Sequence, residues 1–122
     1  METKKIIYEA IGACFDVYNT LGPGLLENVY EQALLQEFKI RGLNFKSQIP
    51  VNIIYKGVHI GSDLRLDILL EDTLIIELKS VENLMPVHFK QVRTYMKLLD
   101  KKIGLLVNFN INDFSNGYKV IQ

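Results

Sequence analysis

Apolar residues recur at helical spacing from about Lys5 to Leu21, at Ile7, Ala10, Ile11, Cys14, Val17, Tyr18 and Leu21. Gly22-Pro23-Gly24 stops that helix. A second helical set, Leu26, Val29, Tyr30, Ala33, Leu34 and Phe38, predicts a helix from about Leu25 to Arg41, with Gly42 as its C-terminal stop. The period then shortens to two. Phe45 to Tyr55 reads as a strand with Ile49, Val51, Ile53 and Tyr55 on one parity, and Pro50 within it marks an edge position or a bulge. Lys56-Gly57 is a turn, and Val58 to Leu70 is a second extended stretch broken near Gly61-Ser62. After a turn at Glu71-Asp72-Thr73, Leu74 to Val81 forms a third strand. Pro86 to Leu99 is a helix with proline in its first turn and Met85, Phe89, Val92, Met96 and Leu99 as its buried stripe. Ile103 to Phe109 is a compact apolar strand, and Phe114 to Ile121 adds an edge strand. The order α-α-β-β-β-α-β predicts a single domain over residues 1–122, an α/β sandwich around a mixed sheet.

Three ionisable residues interrupt this pattern. Asp67 sits inside the run Leu66-Asp67-Ile68-Leu69-Leu70, and Glu77 and Lys79 sit inside Ile76-Glu77-Leu78-Lys79-Ser80. Strand interiors ordinarily exclude such residues. Side chains alternate faces along a strand, so Arg65, Asp67 and Leu69 share one face of the second strand, and Ile75, Glu77 and Lys79 share one face of the third. A three-residue loop, Glu71-Asp72-Thr73, sets Leu70 opposite Leu74, Ile68 opposite Ile76 and Asp67 opposite Glu77. A two-residue loop sets Asp67 opposite Ile76 and sends Glu77 to the far face, so the apolar pattern favours the first register. Two opposed carboxylates repel unless a cation lies between them. Such a pair suits Mg²⁺ or Mn²⁺, which take hard oxygen ligands and keep several waters. Lys79, on the same face, is equipped to position or deprotonate an attacking water, or to stabilise charge developing on a phosphate. Ordinary ion pairs on a solvated sheet face account for the same spacing.

Composition narrows the functional classes. Lys+Arg and Asp+Glu both number 14, for a net charge of zero, which argues against a protein that grips nucleic acid by bulk charge. Lys90, Arg93, Lys97, Lys101 and Lys102 form a basic strip that serves either as a phosphate-contacting surface or as a solvated helix face. Cys14 is the one cysteine, so an intrachain disulfide and a Cys-rich zinc site are excluded; its place on an apolar helix face reads as buried and inert. No apolar run approaches membrane length and no signal-type core follows the N-terminus, so a soluble, cytoplasmic protein without membrane attachment is expected. Gly22-Pro23-Gly24 lacks the Lys-Ser/Thr of a nucleotide-binding loop.

Asp67 followed, after nine residues, by Glu77-Leu78-Lys79 resembles the PD-(D/E)XK nuclease superfamily, and Gly24-Leu25-Leu26-Glu27-Asn28-Val29-Tyr30 is similar to the signature of its small GxxExxY family. The resemblance covers nearly the whole chain. It implies a restriction-endonuclease-like α-β-β-β-α-β core, with a mixed central sheet flanked by helices and an extra N-terminal helix. It also implies Asp67 and Glu77 as metal-binding acids, Lys79 as the catalytic lysine, and Glu27 as a helix-borne acid that ligates Mg²⁺ or Mn²⁺ or orients a water. Gln91 matches a glutamine that some members carry on the helix after the Glu-x-Lys strand, and Leu66 stands where the superfamily motif has proline. The implied activity is phosphodiester hydrolysis on nucleic acid, DNA ahead of RNA; the alternative is a non-catalytic nucleic-acid- or protein-binding module that retains the fold. The small surface points to a homodimer or protein partner. Of the neighbouring residues, Tyr30 is expected to pack in support of Glu27, Glu31 to be solvated, His88 and Tyr95 to lie on the helix surface, and His59 to be structural or surface.

Overall fold

The computed structural model describes residues 1–61 and 64–122. Helices α1 (Thr3–Leu21) and α2 (Glu27–Ile40) precede strands β1 (Phe45–Pro50), β2 (Ile53–Tyr55), β3 (Val58–Ile60), β4 (Arg65–Leu70) and β5 (Leu74–Lys79). Helix α3 (Pro86–Leu98), β6 (Ile103–Asn108), a 3₁₀ turn (Phe114–Asn116) and β7 (Tyr118–Ile121) complete the order. Among the described residues the strands form a mixed sheet ordered β1-β4-β5-β6-β7 and a separate β2-β3 hairpin. This is the restriction-endonuclease-like arrangement expected from the sequence.

Each sheet face buries one helical layer. Ile68, Leu70, Leu74, Ile76, Leu78, Leu105 and Val107 pack with Ile6, Ala10, Tyr30, Leu34 and Phe38 of α1 and α2. Leu69, Ile75 and Leu106 pack with Val92, Tyr95 and Met96 of α3. The parity read from the sequence therefore holds: Glu77 and Lys79 share the α3 face with Ile75. The parallel β5-β6 pair is joined through α3, the crossover expected of parallel neighbours. Gly104 lets α3 approach the sheet closely, since a Cβ there would lie 2.6 Å from Val92 Cγ1 and 3.2 Å from Met96 Sδ. Gly104→Ala is expected to cost about 1–3 kcal/mol through overpacking. Urea denaturation reads this directly; an unchanged midpoint would contradict the close packing.

Two expectations change. The strand anticipated over Phe45–Tyr55 is two strands, because the chain leaves the main sheet after Pro50 and Ile53–Tyr55 pair with Val58–Ile60 instead. Pro50 ends an edge strand, as its missing N–H dictates. The break anticipated near Gly61-Ser62 falls partly outside the described residues, at Ser62 and Asp63. On the helices, Leu26, Val29 and Met85 are exposed rather than part of the buried faces. They sit at or near helix starts, where the core has not yet closed over the chain. Cys14 is fully buried, and burial pushes its thiol up to about 12. Arg41 ties α1 to α2 by bonding Glu9 at 3.0 Å and Asp16 at 2.7 Å. No helix among the described residues is long and apolar enough to cross a membrane.

Candidate metal and nuclease centre

The β4-β5 hairpin pairs Leu70 with Leu74, Leu69 with Ile75 and Ile68 with Ile76, the register set by a three-residue loop. Beyond Ile68 the main-chain ladder gives way to side chains. Glu77 Oε1 accepts the Asp67 N–H at 2.9 Å, and Asp67 Oδ2 accepts the Leu78 N–H at 2.9 Å. Each acid thus fills a backbone bond on the opposite strand. Glu77 is buried at 3% exposure, while Asp67 is half-buried.

Burial and the Asp67 charge push Glu77 up to about 8, against the Asp67 N–H and Lys79, which favour its ionised form. Asp67 is also raised, first by burial, with the Leu78 N–H, Lys79 and Gln48 opposing. The pair is electrostatically frustrated without a cation. Its oxygens are the hard donors Mg²⁺ and Mn²⁺ prefer, and Mg²⁺ sites commonly use one or two carboxylates with water completing the shell. On this donor chemistry the residues fit a divalent ion, with Asp67 facing a cleft of about 410 Å³ also lined by Glu27, Asn28, Glu31, Gln48 and Leu78. Among the described residues no group of three or more His, Cys, Asp or Glu side chains is placed to share one ion.

Glu27 opens α2 on the first turn, where the helix N-terminus favours a negative charge. Its carboxyl is nevertheless raised, first by partial loss of water, with Lys79, His88 and the Ser80 N–H opposing and Asp67 reinforcing the rise. These influences place Glu27 within electrostatic reach of Lys79 and both strand acids. The local chain is fixed by Tyr30, whose hydroxyl donates to Gly22 O at 2.5 Å and accepts from Leu25 N–H at 3.1 Å. The Tyr30 ring stacks on Phe109 with centroids 4.4 Å apart. Ser80 Oγ donates to Leu25 O at 2.6 Å, joining the end of β5 to the start of α2. Tyr30 therefore supports the loop before Glu27 by packing and hydrogen bonding, as expected of it.

Lys79 Nζ donates to Gln91 Oε1 at 3.0 Å, and Gln91 Nε2 reaches the Tyr95 hydroxyl at 3.4 Å. Gln91 thus orients the lysine from α3. Tyr95 departs from its expected place on the helix surface: it is buried, because its ring joins the α3 core while its hydroxyl finds Gln91. His88 is half-buried and caps α3, its Nδ1 accepting the Met85 N–H at 2.9 Å. His59 is exposed and meets Asn52 Oδ1 at 3.1 Å, consistent with a surface role.

Glu31 is the clearest correction. It is buried at 8% exposure, with its Oε1 accepting from Gln48 Nε2 at 2.7 Å. Burial raises its carboxyl, with Gln48 opposing and the charges of Asp67 and Glu27 adding to the rise. Its position four residues after Glu27 is a sequence signal for a shared face; what covers that face, Gln48, arrives from a different element. Asn108 was also missed. Buried at the end of β6, it accepts Val81 N–H at 3.1 Å and donates to Val81 O at 2.9 Å, so it pins the chain just past Lys79.

A profile described as the PD-(D/E)XK nuclease superfamily matches residues 4–121. No curated protein and no solved structure matches the chain.

Proposed function

From the premise that the chain belongs to the PD-(D/E)XK nuclease superfamily, we propose that it is a cytoplasmic, Mg²⁺- or Mn²⁺-dependent nuclease of the GxxExxY type, hydrolysing phosphodiester bonds of nucleic acid, DNA ahead of RNA. The observation that carries this reading is the opposed Asp67-Glu77 pair, with Lys79 held beside it by Gln91. Asp67 and Glu77 hold the ion, and Glu27 orients the attacking water. The bound ion supplies Lewis-acid stabilisation of the phosphate oxygens. Lys79 positions the water and stabilises charge developing on the phosphate, a role strengthened by partial exclusion of solvent. Gln91 keeps the ammonium directed at the acids. The basic strip Lys90, Arg93 and Lys97, exposed on α3, supplies phosphate contacts. A homodimer or protein partner extends the small substrate-gripping surface.

A second reading, a non-catalytic binding module, draws on one observation: Asp67 and Glu77 each satisfy a main-chain N–H and so have a structural use without any ion. Incubation with single- and double-stranded DNA and RNA in Mn²⁺ separates the two. The nuclease reading expects cleavage that chelation abolishes. Substrate left intact across the panel at millimolar Mn²⁺, by protein that nonetheless binds nucleic acid, would establish the second.

A further inference from the structure

Strand β1 runs against β4 in one constant register, from Phe45↔Leu70 through Ser47↔Ile68 and Ile49↔Leu66 to Pro50↔Arg65. The rung between them, Gln48 opposite Asp67, is absent from the ladder. Residues on both sides keep step, so this is no inserted residue of the kind that makes a bulge. Gln48 instead turns to φ +49°. That is left-handed backbone, unusual for a residue with a long side chain, and a conformation that persists only where its surroundings hold it.

The turned residue points its amide at the acids. Gln48 Nε2 donates to Glu31 Oε1 at 2.7 Å and reaches Asp67 Oδ1 at 3.4 Å. The Gln48 main-chain carbonyl accepts from Arg65 Nη1 at 3.4 Å. Asp67 Oδ2 is already fixed by the Leu78 N–H, so the Gln48 amide restrains the second oxygen of the same carboxylate. An amide suits this place. It presents two N–H donors and therefore serves two carboxylates at once. It brings no positive charge to compete with a cation, as lysine or arginine would, and no negative charge to repel the acids.

We propose that Gln48 is a positioning residue of the acidic centre, its amide clamping Asp67 and Glu31 in one orientation and thereby setting the affinity of the centre for a divalent ion. The inference rests on the metal-dependent reading of that centre. Partners that orient metal-binding carboxylates typically change metal affinity by about 10–100-fold when removed.

The test is Mn²⁺ titration of the purified chain by calorimetry and by thermal shift, comparing wild type with Gln48→Ala and Gln48→Gly. Glycine relieves the left-handed backbone while deleting the amide, so Gln48→Gly is expected to melt no lower than wild type without metal, yet to bind Mn²⁺ about tenfold more weakly. Gln48→Ala is expected to show the same loss of affinity. In cleavage assays the half-saturating Mn²⁺ concentration is expected to rise by a similar factor. Equal Mn²⁺ affinity in wild type and Gln48→Gly overturns the assignment, as does a wild type that binds no Mn²⁺ at millimolar concentration. A wild type that binds Mn²⁺ more tightly than Gln48→Gly but cleaves no nucleic acid overturns the nuclease reading and leaves the role of Gln48 standing.

Discussion

Lys79→Ala is expected to reduce Mn²⁺-dependent cleavage by about 10²–10³-fold, the usual loss when one preorganised donor to a developing negative charge is removed. The fold is expected to tolerate the change. Lys79 is half-buried at the end of β5, and among the described residues its ammonium hydrogen-bonds only Gln91. Its main-chain carbonyl still receives the Phe109 N–H at 3.0 Å whatever the side chain. Asp67 and Glu77 keep their own backbone bonds, so Mn²⁺ binding measured by thermal shift is expected to survive in the variant. Loss of cleavage with retained Mn²⁺ binding assigns the lysine to the chemical step. Cleavage by Lys79→Ala within a few fold of wild type removes the lysine from the mechanism.

Without divalent ions, stability is expected to fall as pH rises from about 5 to 8, and Glu77→Gln is expected to remove most of that fall. The Glu77 carboxyl titrates near 8 in the folded chain, above its ordinary value of 4.5. Between those values the folded chain holds a proton that the unfolded chain releases. The stabilisation is fully present below the unfolded value and is lost as pH rises through the folded one. The raised Asp67 carboxyl acts in the same direction. Glutamine retains an oxygen for the Asp67 N–H but carries no charge, so at pH 8 the variant is expected to exceed wild type by on the order of 2–3 kcal/mol, or roughly 5–10 °C in Tm. At pH 5 the two are expected to melt together. Mn²⁺ should close the gap at pH 8 by stabilising wild type, since it binds the ionised pair. Melting curves that run parallel across this pH range would falsify the account of a frustrated carboxylate pair.

The hairpin was legible because its physics is local. A three-residue loop and strict side-chain alternation leave one register that buries Ile68 and Ile76 together, and that register carries Asp67 to Glu77. The helix-borne Glu27 and its supporting Tyr30 were legible from a short motif whose tyrosine fixes the loop before the acid. What escaped the sequence depends on pieces far apart in the chain. Glu31 looks like a solvated helix residue until Gln48 arrives from β1 to cover it. A left-handed glutamine has no sequence signature, unlike the glycine or asparagine that usually marks such a backbone. Tyr95 looked exposed because His88 and Gln91, at helical spacing before it, are polar, yet its hydroxyl is satisfied inside by Gln91. Pro50 announced an edge, but the departure of the next residues into a separate hairpin followed from pairing partners that periodicity does not specify.

The position of β1 at the outer edge of the sheet has a consequence for the behaviour of concentrated protein. An open edge strand is a template on which a second molecule adds its own strand and seeds aggregation. Here the edge is blunted twice within three residues, by the left-handed turn at Gln48 and by Pro50, which has no N–H to offer. A neighbouring strand that docks there meets no regular row of donors and acceptors. The turn that directs an amide toward the acids also keeps this side of the sheet from growing, so substitutions that straighten β1 risk solubility as well as the centre it serves.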